Sequence, residues 1–129
     1  MEHIWLDHYP QGVPADITDM AAANASLVDM FEECCERYAG SPAYLSLGAS
    51  MTYAQTRRHA RNFAAWLQSQ GVGKGDRVSI MLPNLLQYPV CMFGTLMAGA
   101  AIVNTNPMYT EQELHHQLVD SGAETVVVA

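Results

Sequence analysis

Apolar and polar residues change pattern several times along this chain, and the changes mark out its elements. The longest departure from mixed character runs from Arg77 to Tyr109, RVSIMLPNLLQYPVCMFGTLMAGAAIVNTNPMY, with no charged side chain between Val78 and Thr110. Val78 to Leu82 is apolar almost throughout, as in a strand covered on both faces of a parallel sheet. Pro83-Asn84 predicts a turn, about Leu85 to Ala98 a buried helix, and Ala100 to Val103 a second strand. Asn84 is placed to accept from the helix N-terminus, with Gln87 three residues on to reciprocate. Gly99 stands where a left-handed C-cap favours glycine. Together these make one β-α-β unit. A membrane span is the rival reading, since roughly 20 apolar residues cross a bilayer. Pro83-Asn84 splits the run, and Gln87, Pro89 and Gly94 interrupt what remains, so a central helix of a water-soluble fold is expected.

The flanking segments return to mixed patterns. Residues 1–25 read as an arm: Pro10, Gly12 and Pro14 break any period, yet Ile4, Trp5, Leu6, Tyr9 and Val13 are too apolar for a disordered tail. Such an arm lies over its own domain or docks on a second subunit. Ser26 with Asp29 opens a helix as a variant capping box. Its apolar face is expected at Leu27, Met30, Phe31, Cys34 and Tyr38, which makes Cys34 core filler rather than a nucleophile. Gly40 and Pro42 end it. Ala43 to Leu47 and Met51-Thr52 predict a hairpin around Gly48. Thr52 with Gln55 forms a capping box for the next helix, whose core face is Tyr53, Thr56, Ala60, Phe63 and Leu67. Thr110 with Glu113 starts a further helix to about Ser121, closed by Gly122 and carrying Leu114 and Leu118 as a narrow stripe. Glu124 to Ala129 begins a β-branched strand. With no covering element after it, that strand predicts a piece of a larger fold.

Composition narrows the function classes. The net charge of −7 disfavours nucleic acid, whose phosphates would be repelled. The three cysteines include no zinc-type or Cys-x-x-Cys spacing, which points to reduced thiols in a cytoplasm. The opening MEHIWLDHYP has no basic segment followed by an apolar core, so no secretory signal is read.

Candidate chemistry is sparse. Arg57, Arg58 and Arg61 share a helix face that could hold a phosphate or an anionic lipid head group; on an acidic chain, pairing with local carboxylates is the expected outcome. Gly71 to Asp76 looks like a phosphate loop but has no third Rossmann glycine, no Ser or Thr after Lys74, and the wrong helix-then-strand order. Gly71 is better read as a helix C-terminal residue. Glu111 and His115 stand four apart without a third metal ligand, so no metal site is assigned. Asn104 to Thr110 follows the carboxyl end of a parallel strand, where ligands of open α/β sheets commonly bind.

Several short motifs, weak singly, recur in a fixed order. Ser26-Leu27-Val28-Asp29-Met30-Phe31, Met51-Thr52-Tyr53, Gly75-Asp76-Arg77-Val78, Leu82-Pro83-Asn84, Gly94 with Ala98-Gly99-Ala100, and Asn104 to Thr110 come first. Glu113-Leu114, Gln117 and Asp120-Ser121-Gly122-Ala123 follow them. This set resembles the start of the AMP-forming acyl-CoA synthetases, and within them the bacterial long-chain fatty acid–CoA ligases, to which Trp5-Leu6 and Tyr9-Pro10 are also similar. The resemblance covers nearly the whole chain.

It implies an α/β fold of β-α-β units with a mainly parallel sheet, the N-terminal portion of the synthetase large domain, with residues 26–129 an incomplete subdomain. It implies a two-step reaction in which a fatty carboxylate attacks ATP to give acyl-adenylate and pyrophosphate, and the thiol of CoA then displaces AMP. ATP, Mg2+ and CoA belong to the intact parent. The family's Ser/Thr/Gly-rich loop ending in lysine and its later motifs are not in this sequence, whose sole lysine, Lys74, sits in a turn. No catalytic residue is therefore assigned, and the chain alone is expected to be inactive. Asn106, Pro107, Met108 and Tyr109 are expected to approach the CoA-binding face, although other branches carry a glycine-containing loop there. The implied partners are a long-chain fatty acid, the remainder of the synthetase, a second copy through the arm, and peripheral contact with the inner membrane of a cytoplasmic enzyme. The alternative is a stand-alone Rossmann-like or flavodoxin-like binding module without catalysis.

Overall fold

A computed structural model describes residues 4–14 and 26–129. In the described part of the arm a 3-10 turn, Leu6–His8, is followed by a tight turn that Val13 N closes by donating to Pro10 O at 3.1 Å, and Ile4, Trp5, Tyr9 and Val13 remain well exposed. The rest of the arm, residues 1–3 and 15–25, lies outside the described residues. From Ser26 onward the order is α1 (Leu27–Arg37), β1 (Pro42–Ser46), β2 (Ala49–Thr52), α2 (Tyr53–Ser69), β3 (Arg77–Met81), α3 (Gln87–Ala98), β4 (Ala101–Asn104), α4 (Glu111–Ser121) and β5 (Thr125–Val128).

β3 is the centre. It pairs in parallel with β4 on one side and with β5 on the other, in the order β4-β3-β5. Val78, Ser79 and Ile80 are buried, as the apolar run predicts for a strand covered on both faces. β1 and β2 form a separate antiparallel hairpin, joined by Leu47-Gly48 with positive φ at both residues. Among the described residues no helix is long and apolar enough to cross a membrane.

The main core lies where α2 and α3 pack on the sheet, with Val78, Ile80 and Leu82 against Ala64, Leu67, Cys91 and Ala98. Gly94 sets the approach of the two helices. A Cβ there would stand 2.8 Å from the Ala60 carbonyl oxygen and 2.8 Å from Phe63 Cδ1, so only glycine fits without movement. A second cluster joins α1 to this pair through Phe31, Cys35, Ala60 and Phe93, with the Phe31 and Phe93 rings stacked at 3.8 Å between centroids.

Local signals explain most boundaries. The Thr52–Gln55 and Thr110–Glu113 capping boxes are both formed. Gly71, Gly99 and Gly122 end helices in left-handed conformations. Two expectations need correction. The Asn84 cap is not formed: α3 begins later, at Gln87, with Leu86 at the N-cap position and no side-chain cap. That shift places Pro89 in the first turn, where its missing N–H leaves no helical bond unmade. On α1 the buried cysteine is Cys35 rather than Cys34, while Leu27, Met30 and Tyr38 are exposed. The helix is rotated so that Phe31 reaches Phe93, and Cys35, one turn on, follows it into the core. Ser26 does cap α1, accepting from Asp29 N at 3.1 Å, but the Asp29 carboxylate accepts from Ser26 Oγ and not from its backbone.

Candidate functional site

The segment after β4 sits at the carboxyl end of the sheet and is fastened at both ends. Thr105 is buried, and its hydroxyl lies 2.6 Å from that of Ser79 on the central strand. Thr105 N donates to Ile80 O, extending the β3–β4 ladder by one bond. Asn104 Oδ1 accepts from the Tyr88 hydroxyl of α3 at 2.6 Å, and Asn104 O accepts from Gln117 Nε2 of α4 at 2.9 Å. The strand end is thus tied to a helix on each side.

Asn106 shapes the loop itself. Its Oδ1 accepts from Met108 N at 2.9 Å, and its carbonyl accepts from Tyr109 N at 3.1 Å, giving an Asx-type turn with Pro107 inside it. Thr110 N donates to Glu113 Oε2. Met108 projects outward, 84% exposed. Tyr109 is half-buried and borders an open cleft of about 270 Å³ with Glu113, His116, Gln117 and Asp120. On the other side of Tyr88 a second cleft of about 320 Å³ runs between β1 and the start of α3, lined by apolar side chains such as Leu45, Leu86, Pro89 and Met92.

The charge distribution limits what this end can hold. All six Lys and Arg residues lie at or before Arg77. Lys74 packs beside Gly99 at the amino end of the sheet, away from the loop. The N–H groups of Met108, Tyr109 and Thr110 are already taken, and Pro107 has none. The backbone from Met108 to Thr110 therefore offers no open N–H, and no Lys or Arg side chain stands in the loop.

The other candidates resolve into structure. Glu32 of α1 accepts from Arg57 and Arg61 of α2, and Arg57 also bonds Glu36 at 2.9 Å. Burial opposes ionisation of Glu32, but the hydrogen bonds from Arg61 and Arg57 outweigh it and hold its carboxyl below the usual range. The arginine face is thus largely the carboxylate-paired surface that the acidic composition predicts. Cys35 lies buried close by, and burial together with Glu32 pushes its thiol up to about 11. In the glycine-rich turn, Gly73 N donates to Asp76 Oδ2 at 2.8 Å, a contact that closes the turn on itself. Glu111 and His115 are both exposed, and the described residues hold no cluster of metal-ligating side chains.

Sequence reasoning missed Arg77. Its guanidinium donates to the carbonyls of Gly75, Ser121 and Gly122, which fixes the end of α4 to the start of β3. Nothing in the local pattern announced the link to α4, because Ser121 and Gly122 lie 44 and 45 residues along the chain.

Comparison with known proteins places this geometry. The family model described as AMP-binding enzyme matches residues 31–129. A long-chain-fatty-acid–CoA ligase of Escherichia coli O6:H1 is 52% identical over 99% of this chain, which spans 23% of that relative's length. The ligase of the same name from Bacillus subtilis is 35% identical over 95% of this chain and 21% of its own. Among solved structures, VinN in complex with 3-methylaspartate matches with a TM-score of 0.76 at 27% identity, covering 80% of this chain and 29% of VinN. The N-terminal subdomain of Klebsiella oxytoca NpsA matches in fold, with a TM-score of 0.75 at 24% identity over 79% of this chain and 27% of that one.

Proposed function

The chain belongs to the AMP-binding enzyme family, and from that premise we propose that it is the N-terminal part of an ATP-dependent long-chain fatty acid–CoA ligase. The observation that carries this reading is 52% identity over 99% of the chain to a ligase of that name, of which it spans 23%. A stand-alone Rossmann-like or flavodoxin-like module has no comparable support.

In this reading the parent joins a fatty carboxylate to ATP, releasing pyrophosphate, and the thiol of CoA then displaces AMP from the acyl-adenylate. When bound, Mg2+ offsets charge on the phosphates. The reading assigns no catalytic group to this chain; what supports it is that no Lys or Arg, the cations the phosphoryl chemistry draws on, occurs from Val78 onward. Its role is a scaffold, with residues 26–129 forming one portion of the large domain and residues 1–25 an arm. Asn106, Pro107, Met108 and Tyr109 face CoA. Pairing of two copies through the arm and peripheral contact with a lipid surface from a cytoplasmic location complete the reading.

The test is direct. Purified chain with ATP, Mg2+, CoA and oleate should form no acyl-CoA, and appreciable turnover would overthrow the assignment of a scaffold role.

A further inference from the structure

We propose that Ser79 and Thr105 are positioning residues. Through the bond between their buried hydroxyls they fix the loop 106–109 for the CoA-dependent half of the reaction, while neither touches a substrate. The inference rests on the reading above that this loop faces CoA. Both partners lie within this chain, so the contact does not wait on any other part of the parent.

Thr56, Ser79, Thr95 and Thr105 are the buried polar residues among those described. Thr56 bonds back to Thr52 O next to its own helix, and Thr95 Oγ1 has no partner. Ser79 and Thr105 alone join two elements, with their hydroxyl oxygens 2.6 Å apart. Ser79 stands between Val78 and Ile80 on the central strand and is as fully buried as they are. Stability does not call for a hydroxyl there, because two apolar side chains of the same shape pack about as well as a buried pair of this kind.

What the bond supplies is placement. Thr105 N donates to Ile80 O at 3.1 Å, and Asn104 is held by Tyr88 and Gln117, so the chain leaves β4 at a fixed point. Beyond it, the hydrogen bonds of residues 106–109 run only within the loop, from Met108 N and Tyr109 N to Asn106. The direction of the loop is therefore set by Thr105 on one side and by the Thr110–Glu113 cap on the other. The hydroxyl bond adds a side-chain tether to the backbone one at Thr105. Two tethers fix an orientation where one fixes only a position.

The test uses the full-length ligase that carries this segment, as Thr105→Val, Thr105→Ser and the double variant Ser79→Ala with Thr105→Val. Oleate-dependent exchange of pyrophosphate into ATP reads the first half-reaction, and KM for CoA reads the second. Thr105→Val should raise KM for CoA about tenfold and leave exchange within about twofold of wild type. Thr105→Ser keeps the hydroxyl and should restore KM. The double variant leaves no hydroxyl unpaired, so it should unfold in urea near the wild-type midpoint and still show the raised KM. Loss of both half-reactions in step with the urea midpoint would overturn the proposal. So would an unchanged KM, or a Thr105→Ser variant as impaired as Thr105→Val. A wild type that forms no adenylate would sink the ligase reading instead. Hydrogen exchange then still reads the positioning: the Met108 and Tyr109 amides should exchange about tenfold faster in Thr105→Val than in wild type, and equal rates would refute it.

Discussion

Arg77 and Gly122 are joined across 45 residues of chain, with Arg77 Nη2 donating to the Gly122 carbonyl at 2.8 Å. Nε of the same guanidinium reaches Ser121 O at 2.9 Å, so one planar fork satisfies two carbonyls left open at the end of α4. Arg77→Ala should destabilise the chain by about 1–2 kcal/mol, from charge-assisted hydrogen bonds weakened by partial exposure. Arg77→Lys should recover little of that, because an ammonium cannot span both carbonyls. Urea unfolding of the three proteins decides it, and full recovery by lysine would refute the fork.

Gly94 gives a sharper test of packing. Gly94→Ala would press a methyl group into the Ala60 backbone and Phe63, at a cost of about 1–3 kcal/mol. Gly40→Ala, with nothing within 4 Å of the added methyl, is the control and should change little. Equal midpoints for the two variants would mean that α2 and α3 are not in close contact.

The Glu32 cluster ties stability to pH. Its folded pKa is lowered, so the stabilisation it gives is complete above the unfolded value and is lost as pH falls through the folded one. Glu32→Gln should therefore be less stable than wild type at pH 7, and the difference should shrink in acid below the usual carboxylate range. A difference independent of pH would show that the ionised carboxylate is not what matters.

Thiol reactivity separates the three cysteines. Cys34 is half-buried, whereas Cys35 and Cys91 are buried with thiol pKa values raised by that burial. Brief iodoacetamide treatment followed by mass spectrometry should find the adduct on Cys34, with the other two modified only on unfolding. Equal early labelling of Cys35 would contradict the observed rotation of α1.

That rotation shows where sequence reading stopped. The β-α-β unit, both capping boxes and the left-handed glycines were legible because each depends on residues within a few positions of one another. α1 was ambiguous because its apolar residues fall on two faces that share Phe31, and only Phe93, distant in sequence, selects between them. The start of α3 was missed for a different reason. Asn84 is a good capping residue, but Pro89 must stay inside the first turn, and that requirement prevailed. In the loop after β4 the turn chemistry of Asn106 was readable, while its ties to Tyr88, Gln117 and Ser79 exist only in the folded chain. The matched bacterial ligases confirm the resemblance drawn from the ordered motifs.

In the proposed ligase these 129 residues serve as a scaffold that the matching segment of a relative could replace. The most direct measurement replaces the homologous segment of the Escherichia coli relative with this chain and follows oleoyl-CoA formation from oleate, ATP and CoA. A folded chimera that makes oleoyl-CoA at a rate within about tenfold of the parent, equivalent to ~1.4 kcal/mol in the barrier, is the predicted result. A chimera that folds and binds ATP yet forms no acyl-adenylate would contradict it.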